Sequence, residues 1–416
     1  MTQDGDKHAQ RAAETVARES YGRLVAYLAA LTRDVAAAED ALSEAFASAM
    51  AEWPNGGVPD KPEAWLLTVA RRKMIDAARR RKSAEAASDH LKLIADELES
   101  ATMRQNDFPD ERLALMFACA HPAIDAAMRA PLMLQTVLGF DAAAIASAFL
   151  VSPATMGQRL VRAKTKIKQA GIPFRVPERT DLPERLDAVL EAIYAAFSEG
   201  WSDAAGTEIR GRSLAEEGIW LGRLVASLLP DEPEALGLLS LMLHAEARRA
   251  ARRDADGSYV PLAEQDMTLW NDAMIDEAEK HLFTASKAGS VGRYQLEAAI
   301  QSAHVVRRRT GQADWAAIES LYDVLAGLDN SPVVAINRAI AIAENRGSDS
   351  GLLVLDTIAD DPRLATYQPY WAARAELLAR NGDAAEADAA YEIAIGLERD
   401  PAARRFLQRR RMLLRN

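Results

Sequence analysis

The chain has 416 residues, of which 49% are hydrophobic and 27% charged, and its formal net charge is −11. This length exceeds one compact core, and a prior of about 150 residues per domain predicts two or three domains. No apolar run reaches the roughly 18 residues that a membrane span needs, and the polar start MTQDGDKHAQ excludes a secretory signal. A single cysteine excludes an internal disulfide and predicts a cytoplasmic protein.

Composition and charge distribution favour an all-α protein in two parts. Aromatic residues make up only 6% and alanine is abundant, a balance typical of helices. Residues 1–176 hold 23 basic and 22 acidic residues, which leaves 27 basic and 39 acidic residues, or −12, in the remainder. An acidic region does not itself attract phosphate, so nucleic-acid contacts are expected in the first part.

Two amphipathic helices are predicted near the start of the chain. Apolar residues recur at helical spacing in Tyr21–Thr32 and in Val35–Met50. The second helix carries an acidic face formed by Glu39, Asp40 and Glu44. Like charges four residues apart disfavour an isolated helix. A basic partner would offset this repulsion, and so would solvent.

A loop and a basic helix come next. The Gly and Pro content of Trp53–Pro62 predicts a loop, and a helix follows to about Arg81. Within Arg71–Lys82, seven of twelve residues are basic, and an aromatic side chain precedes them. This combination suits a nucleic-acid strand whose bases are unstacked, although a solvated helix face would give the same pattern. The candidate contacts are Trp65, Arg71, Arg72, Lys73, Arg79 and Arg80.

The rest of the chain divides at a linker and at a proline-marked boundary. Residues 83–111 hold two basic and eight acidic residues and predict a linker. A second helical module covers about 111–172, and three prolines in Gly171–Glu184 mark its end. Helices are predicted from there to the C-terminus. A looser copy of a tetratricopeptide repeat covers about 332–362. Six residues nearer the end have clearer tetratricopeptide spacing: Trp371, Ala375, Leu378, Ala387, Tyr391 and Ala394.

The sharpest local pattern is FDAAAIASAFLVSPATMGQRLVRAKTKIK (Phe140–Lys168). It predicts a short helix followed by a longer one, with Ser152 as N-cap and Pro153 as the first helical residue. This arrangement is that of a helix-turn-helix whose second helix enters a major groove. An ordinary helical hairpin with a basic face would give the same pattern. The candidate DNA contacts are Thr155, Gln158, Arg159, Arg162, Lys164 and Lys166, of which the lysines suit the DNA backbone.

Taken in order, these segments resemble an extracytoplasmic-function (group IV) RNA polymerase sigma factor. AEDALSEAF (Ala38–Phe46) is similar to the core-polymerase-binding helix, and PEAWLLTVARRKMIDAARRR (Pro62–Arg81) to the minus-ten recognition helix. AIASAFLVSPATMGQRLVRAK (Ala144–Lys164) is similar to the minus-thirty-five helix-turn-helix. Later segments, among them SEGW, ARRAAR and AEQDMTLW, resemble the branch with a C-terminal tetratricopeptide-like extension. The resemblance covers about residues 18–410.

The resemblance implies partners and domains. Glu39, Asp40 and Glu44 would dock on the clamp of the β′ subunit of core RNA polymerase. Promoter DNA would be the second partner: Trp53–Pro62 would capture a flipped base, and Trp65 with the basic patch would hold the melted strand. The implied domains are sigma region 2 in 10–82, an acidic linker in 83–110, sigma region 4 in 111–176, and a helical regulatory extension in 184–416.

Two residues depart from the family pattern. Arg72 stands where the family often has Asn, which bears on the base preference at that position. Leu150 stands in the turn where the family often has Gly. Because a left-handed backbone is unfavourable for leucine, this turn is expected to be built differently.

The expected function is promoter-directed transcription initiation, with the extension acting on the sigma part in cis. No catalysis, metal or cofactor is expected, because the chain has no GxGxxG, P-loop, HExxH or CxxC motif. Two alternatives stay open. One is a tetratricopeptide adaptor or regulator that works without polymerase. The other is an enzyme whose pocket in 184–416 would be lined by Arg248, Arg249, Asp254, Asp266 and Trp270. A ligand or protein partner of the extension also stays open, whereas no membrane contact is expected.

Overall fold

A computed structural model describes residues 11–13, 16, 20, 21, 24, 25, 27–29, 35–82, 110–170, 177–202 and 209–414. In these residues the regular structure is helical, apart from one isolated antiparallel bridge between Arg253 and Tyr259. The predicted all-α fold class is therefore confirmed. The chain forms two compact units, Met1–Ala195 and Ala196–Asn416. The predicted linker lies outside the described residues except for Asp110.

Among the described residues, the first unit contains six complete helices and the larger part of a seventh. They are α1 (Val35–Gly56), α2 (Pro62–Lys82), α3 (Glu111–Cys119), α4 (Ala126–Thr136), α5 (Ala142–Ala148), α6 (Pro153–Ala170) and α7 (Leu182–Ser202).

The described part of the second unit takes in the end of α7 and ten further helices. They are α8 (Ile209–Leu228), α9 (Pro233–Ala247), α10 (Asp272–Ser286), α11 (Arg293–Thr310), α12 (Trp315–Leu328), α13 (Pro332–Arg346), α14 (Ser348–Thr357), α15 (Gln368–Asn381), α16 (Ala384–Leu397) and α17 (Pro401–Leu413). Short 3₁₀ helices lie at Arg179–Asp181, Arg249–Arg252, Leu262–Glu264, Met267–Leu269 and Pro362–Thr366.

Helix α1 is longer than the sequence predicts. It runs to Gly56, so the predicted start of the loop at Trp53 is wrong, and the connection covers only residues 57–61. The next helix begins at Pro62, as predicted. The physical reason for the greater length of α1 is Trp53, whose buried ring lies edge-on to Trp65 with centroids 5.5 Å apart. Burying this ring keeps the last turn helical despite Pro54, and the helix ends where Gly57 adopts φ +81.

From Leu113 onward, helix α3 is apolar and buried on all sides. Every residue from Leu113 to Ala120 is buried. Its N-terminus is capped by Asp110, whose carboxylate accepts hydrogen bonds from the backbone N–H groups of Arg112 and Leu113. A helix with this composition is stable in water only when neighbouring elements cover every face.

The α5–α6 connection confirms two predictions and overturns a third. The Ser152 hydroxyl accepts a hydrogen bond from the Thr155 N–H at 3.2 Å, so Ser152 is the N-cap, and α6 begins at Pro153 as predicted. Leu150 adopts φ +52, so the expectation that the turn avoids a left-handed residue is wrong. The Val151 N–H donates to the Ala146 carbonyl at 3.0 Å, and this bond closes the turn around the strained residue.

The C-terminal helices bury the predicted repeat positions. Five of the six are buried, and the sixth, Trp371, is half-buried. The indole N–H of Trp371 donates to the Leu364 carbonyl at 3.1 Å. Between α15 and α16 the chain turns at Gly382, where φ is +90. The looser predicted copy coincides with the pair α13 and α14.

Helices α9 and α11 meet at a glycine and a capping carboxylate. Glu234 accepts hydrogen bonds from the backbone N–H groups of Tyr294 (2.9 Å) and Gln295 (3.1 Å) at the start of α11. A Cβ on Gly237 would lie only 2.7 Å from the Gln295 nitrogen. The approach of the two backbones therefore requires the absence of a side chain at residue 237.

We predict that Gly237→Ala destabilises the protein by about 1–3 kcal/mol, because the α11 backbone must move away from the new methyl group. Gly327 in α12 is the matched control, since a Cβ added there would meet nothing within 4 Å. Gly327→Ala should stabilise by up to about 1 kcal/mol through helix propensity. Urea unfolding measures both free energies. Equal effects of the two substitutions would contradict the close approach.

Candidate nucleic-acid interface

The predicted polymerase-binding carboxylates do not have equal surroundings on α1. Asp40 and Glu44 are exposed, one helical turn apart. Glu39 is half-buried. Exposed carboxylates at this spacing offer a partner two negative charges on one face.

Glu39 forms an ion pair with Lys164 of α6. The Lys164 ammonium lies 2.6 Å from the Glu39 Oε2, and the two side chains are only 28% and 15% exposed. Burial raises the pKa of the Cys119 thiol to about 12, and the charges of Glu39 and Lys164 also act on this thiol. The pair therefore lies near the C-terminal end of α3. It joins a predicted polymerase contact to a predicted DNA contact that is 125 residues away.

A second pair of the same kind links α1 to α2. The Lys73 ammonium lies 3.5 Å from Glu44, and both side chains are well exposed at 39% and 57%. Two of the three predicted polymerase-binding carboxylates thus contact lysines from the two predicted DNA-binding helices. The exposed Lys73–Glu44 pair exchanges readily with solvent and with a charged partner.

The basic face of α2 presents arginines beside a tryptophan pair. Arg71 and Arg72 are exposed, and the Arg71 guanidinium lies 5.8 Å from the centroid of the Tyr27 ring. Trp65 is half-buried against Trp53. Sequence reasoning missed Trp53 as a packing residue because the neighbouring Pro and Gly suggested a loop. The predicted contacts Arg79 and Arg80 lie on α2, with side chains outside the described part of the chain.

The outer face of α6 carries most of the remaining predicted DNA contacts. Gln158, Arg159, Arg162 and Lys166 are exposed. The Arg162 Nε donates to the Gln158 carbonyl at 3.3 Å, so this guanidinium lies along its own helix. The hydroxyl of half-buried Thr155 lies 2.7 Å from the Ser152 hydroxyl, and it is used in the N-cap. The opposite face buries Met156, Leu160 and Ile167.

Helix α7 attaches to α3 by a buried arginine that sequence reasoning missed. The Arg185 Nη1 donates to the Phe117 carbonyl at 3.1 Å, in the last turn of α3. Burial lowers the pKa of Arg185, and Asp181 opposes this shift. Leu182, Leu186 and Val189 are buried in the same turns of α7. The predicted start of the extension, residue 184, lies inside this helix, so no loop signal could reveal the attachment.

Of the residues named for an enzymatic pocket, Arg248 and Trp270 contact each other, whereas Asp254 and Asp266 accept hydrogen bonds within their own turns. Asp254 accepts hydrogen bonds from the N–H groups of Asp256 and Ser258, and exposed Asp266 caps its own 3₁₀ turn. Arg248 lies over the Trp270 ring at 5.8 Å. Within the described ranges, no three His, Cys, Asp or Glu side chains are placed to hold a metal ion. No helix of that part is long and apolar enough to cross a bilayer.

Comparison with known proteins gives two family matches and one relative. Residues 17–84 match sigma-70 region 2, and residues 185–286 match a family of unknown function (DUF6596). An uncharacterized protein of Rhizobium meliloti (strain 1021) is 39% identical over 384 residues, which cover 91% of this chain and 89% of that protein. No solved structure matches the chain.

We predict that Lys164→Gln lowers the free energy of unfolding by about 1–2 kcal/mol, because it leaves the half-buried Glu39 carboxylate without its partner. Lys73→Gln is the matched control, and its effect should stay within about 0.5 kcal/mol because that pair is exposed. Urea unfolding of both variants and of Glu39→Gln/Lys164→Gln measures the coupling. Equal losses for Lys164→Gln and Lys73→Gln would contradict the structural role of the first pair.

Proposed function

The chain belongs to the same family as the Rhizobium protein and carries sigma-70 region 2, and we propose that it is a sigma factor of the extracytoplasmic-function group. Region 2 supports a role in transcription initiation through core RNA polymerase and promoter DNA. In this role, the chain would direct RNA polymerase in the cytoplasm to a small set of promoters. Nucleotide addition belongs to the polymerase, so the chain itself carries out no reaction.

The observation that carries this proposal is the placement of opposite charges on the two helices of region 2. Asp40 and Glu44 stand exposed on α1, where they suit a basic surface of the polymerase clamp in β′. Arg71 and Arg72 stand exposed on α2, where they suit the phosphates of a DNA strand. A regulator that works without polymerase has no use for the acidic face.

Helices α5 and α6 are proposed to read the minus-thirty-five element as the helix-turn-helix of region 4. The exposed residues in the first half of α6 would contact base edges, and those further along would contact the DNA backbone. Lys164 is engaged by Glu39 at 2.6 Å, so a phosphate contact from its ammonium requires that ion pair to open. Polymerase binding at Glu39 would compete for the same bond.

The extension is proposed to act on region 4 in cis. Support comes from α7, which begins within the first unit and donates a buried hydrogen bond from Arg185 to the end of α3. The helix then continues into the second unit without a break at residue 195. A change in the helices of the extension can thus alter the packing of α3 through a continuous element.

We predict that Asp40→Lys weakens binding to core polymerase by about tenfold or more, because it places a like charge against a basic clamp surface. Glu52→Lys is the matched control, since Glu52 is an exposed carboxylate on the same helix outside the acidic face. Co-purification and fluorescence titration with purified core measure both variants. If core binds neither the wild-type chain nor any variant, the sigma-factor proposal fails.

We predict that a chain ending at Ala195, which keeps the attachment of Arg185, changes the transcript yield by about fivefold or more relative to the full chain. The measurement is run-off transcription at equal occupancy of core polymerase. A chain ending at Glu178 serves as the comparison, because this truncation also removes α7 and with it the contact of Arg185 with α3. Equal yields from the full chain and the Ala195 chain would refute control in cis.

A further inference from the structure

Five arginines lie close together in the second unit, although that part of the chain is acidic. Four of them, Arg248, Arg249, Arg252 and Arg253, fall within six residues at the end of α9 and in the following 3₁₀ helix. The fifth, Arg307, comes from α11 and acts on the pKa of Arg248.

Two of the five have carboxylate partners. The Arg249 Nε lies 2.7 Å from the Glu246 Oε1. Arg253 forms an ion pair with Asp400 at the start of α17. These two arginines are therefore neutralised within the unit.

The other three donate only to neutral acceptors in the described part of the chain. Arg248 donates to the His244 carbonyl at 3.3 Å and to the Gln301 side chain. Arg252 donates to the Trp201 carbonyl at 2.7 Å, with its guanidinium carbon 4.2 Å from the centroid of that ring. Arg307 donates to the carbonyls of Leu262 and Ala263, each at 3.1 Å. The last carbonyl groups of a helix together carry about half a negative charge. They therefore do not balance the three positive charges of these guanidinium groups.

The pKa values of Arg248 and Arg252 are lowered, chiefly by burial. Burial, followed by the charges of Arg252 and Arg307, lowers the pKa of Arg248 to about 10. Burial also lowers the pKa of Arg252, as do the charges of Arg249 and Arg253, whereas Tyr259 and, to a smaller extent, Asp400 oppose this shift. The cluster thus keeps an excess of positive charge.

The neighbouring histidines, His244 and His304, do not change the net charge of the cluster. Burial and Arg248 lower the pKa of His244 to about 4, and burial does the same for His304, so both imidazoles are neutral near pH 7. Glu279 lies 3.5 Å from the His244 Nε2, and it accepts a hydrogen bond from Ser302.

Buried polar atoms without hydrogen-bond partners among the described residues lie near the cluster, and they include the Glu246 Oε2. The indole N–H of Trp270 has no partner among the described residues, and the Arg248 guanidinium lies over the same ring. His244 has no hydrogen bond at either ring nitrogen, and Ser240, one helical turn away, has none at its hydroxyl. Unsatisfied donors and unpaired guanidinium groups are costly in a buried position unless a ligand completes them.

We propose that Arg248, Arg252 and Arg307 form a binding site for a small oxyanion of two or more negative charges. The planar guanidinium group bonds the two oxygens of a phosphate or a carboxylate side by side, which a lysine cannot do. Three such groups without carboxylates of their own match a phosphate ester or a polycarboxylate. The site lies within the second unit, and it does not depend on the sigma-factor role. Arg248 and Arg252 belong to the residues that match the family of unknown function, and Arg307 lies outside that range.

The test is thermal unfolding of the full chain with inorganic phosphate, with citrate, or with sodium chloride at the same ionic strength. We expect phosphate or citrate at about 10 mM to raise the unfolding midpoint by about 3 °C or more above the chloride value. A response to phosphate alone assigns the site to phosphate esters, and a response to citrate alone assigns it to polycarboxylates.

Two variants separate a built site from general salt stabilisation. Arg248→Met should remove the anion response while keeping or raising the midpoint in chloride, because it eliminates an unpaired buried charge. Arg252→Met should also remove the response, and Arg405→Met, at an exposed arginine of α17, should keep it. The proposal is overturned if neither anion shifts the wild-type midpoint beyond chloride, or if the Arg248→Met and Arg252→Met chains respond as the wild type does.

Discussion

The first unit depends on covering one apolar helix on every side. Helix α3 has no face that tolerates water, since each residue from Leu113 to Ala120 is buried. Polar groups at its C-terminal end need partners in the same dry surroundings. Arg185 supplies one to the Phe117 carbonyl, and the Glu39–Lys164 pair lies near Cys119. Burial of α3 thus brings region 2, the α5–α6 pair and the start of the extension together.

Charge is arranged differently in the two units. In the first unit, acidic residues of α1 contact lysines of α2 and α6, so surfaces proposed for polymerase and for DNA are linked through ion pairs. The exposed Lys73–Glu44 pair is weak enough to be replaced by a larger charged partner, and the more buried Lys164–Glu39 pair costs more to open. In the second unit, Arg248, Arg252 and Arg307 donate to neutral acceptors, although acidic residues outnumber basic ones in that part of the chain. We therefore expect the first unit to respond to macromolecular partners and the second to a small anion.

Local patterns were predicted from sequence, and contacts distant in sequence were not. The Ser152 cap, the start of α6 at Pro153 and the helix from Pro62 follow from rules that involve a few adjacent residues. The end of α1 was missed because burial of Trp53 outweighs the local signals of Pro54 and Gly56. Local propensity is only a weak guide where tertiary packing decides the conformation.

In the candidate site, too, local features could be predicted from the sequence and contacts between distant residues could not. Exposure of Arg162 and Asp40 was inferred from helical periodicity, which places polar residues opposite the apolar face. The pairing of Lys164 with Glu39 has no signal in either segment, because it joins residues far apart in the chain. The cluster of Arg248 with Arg307 depends in the same way on how α9 packs against α11.

We propose that this chain makes core polymerase start at particular promoters. Run-off transcription with purified core, the full chain and a pool of promoter fragments tests it most directly. We predict discrete transcripts that require the chain and that decline when Arg162 is replaced by alanine on the same fragments. Transcripts identical to those of core alone, at a chain concentration that saturates core, would contradict it.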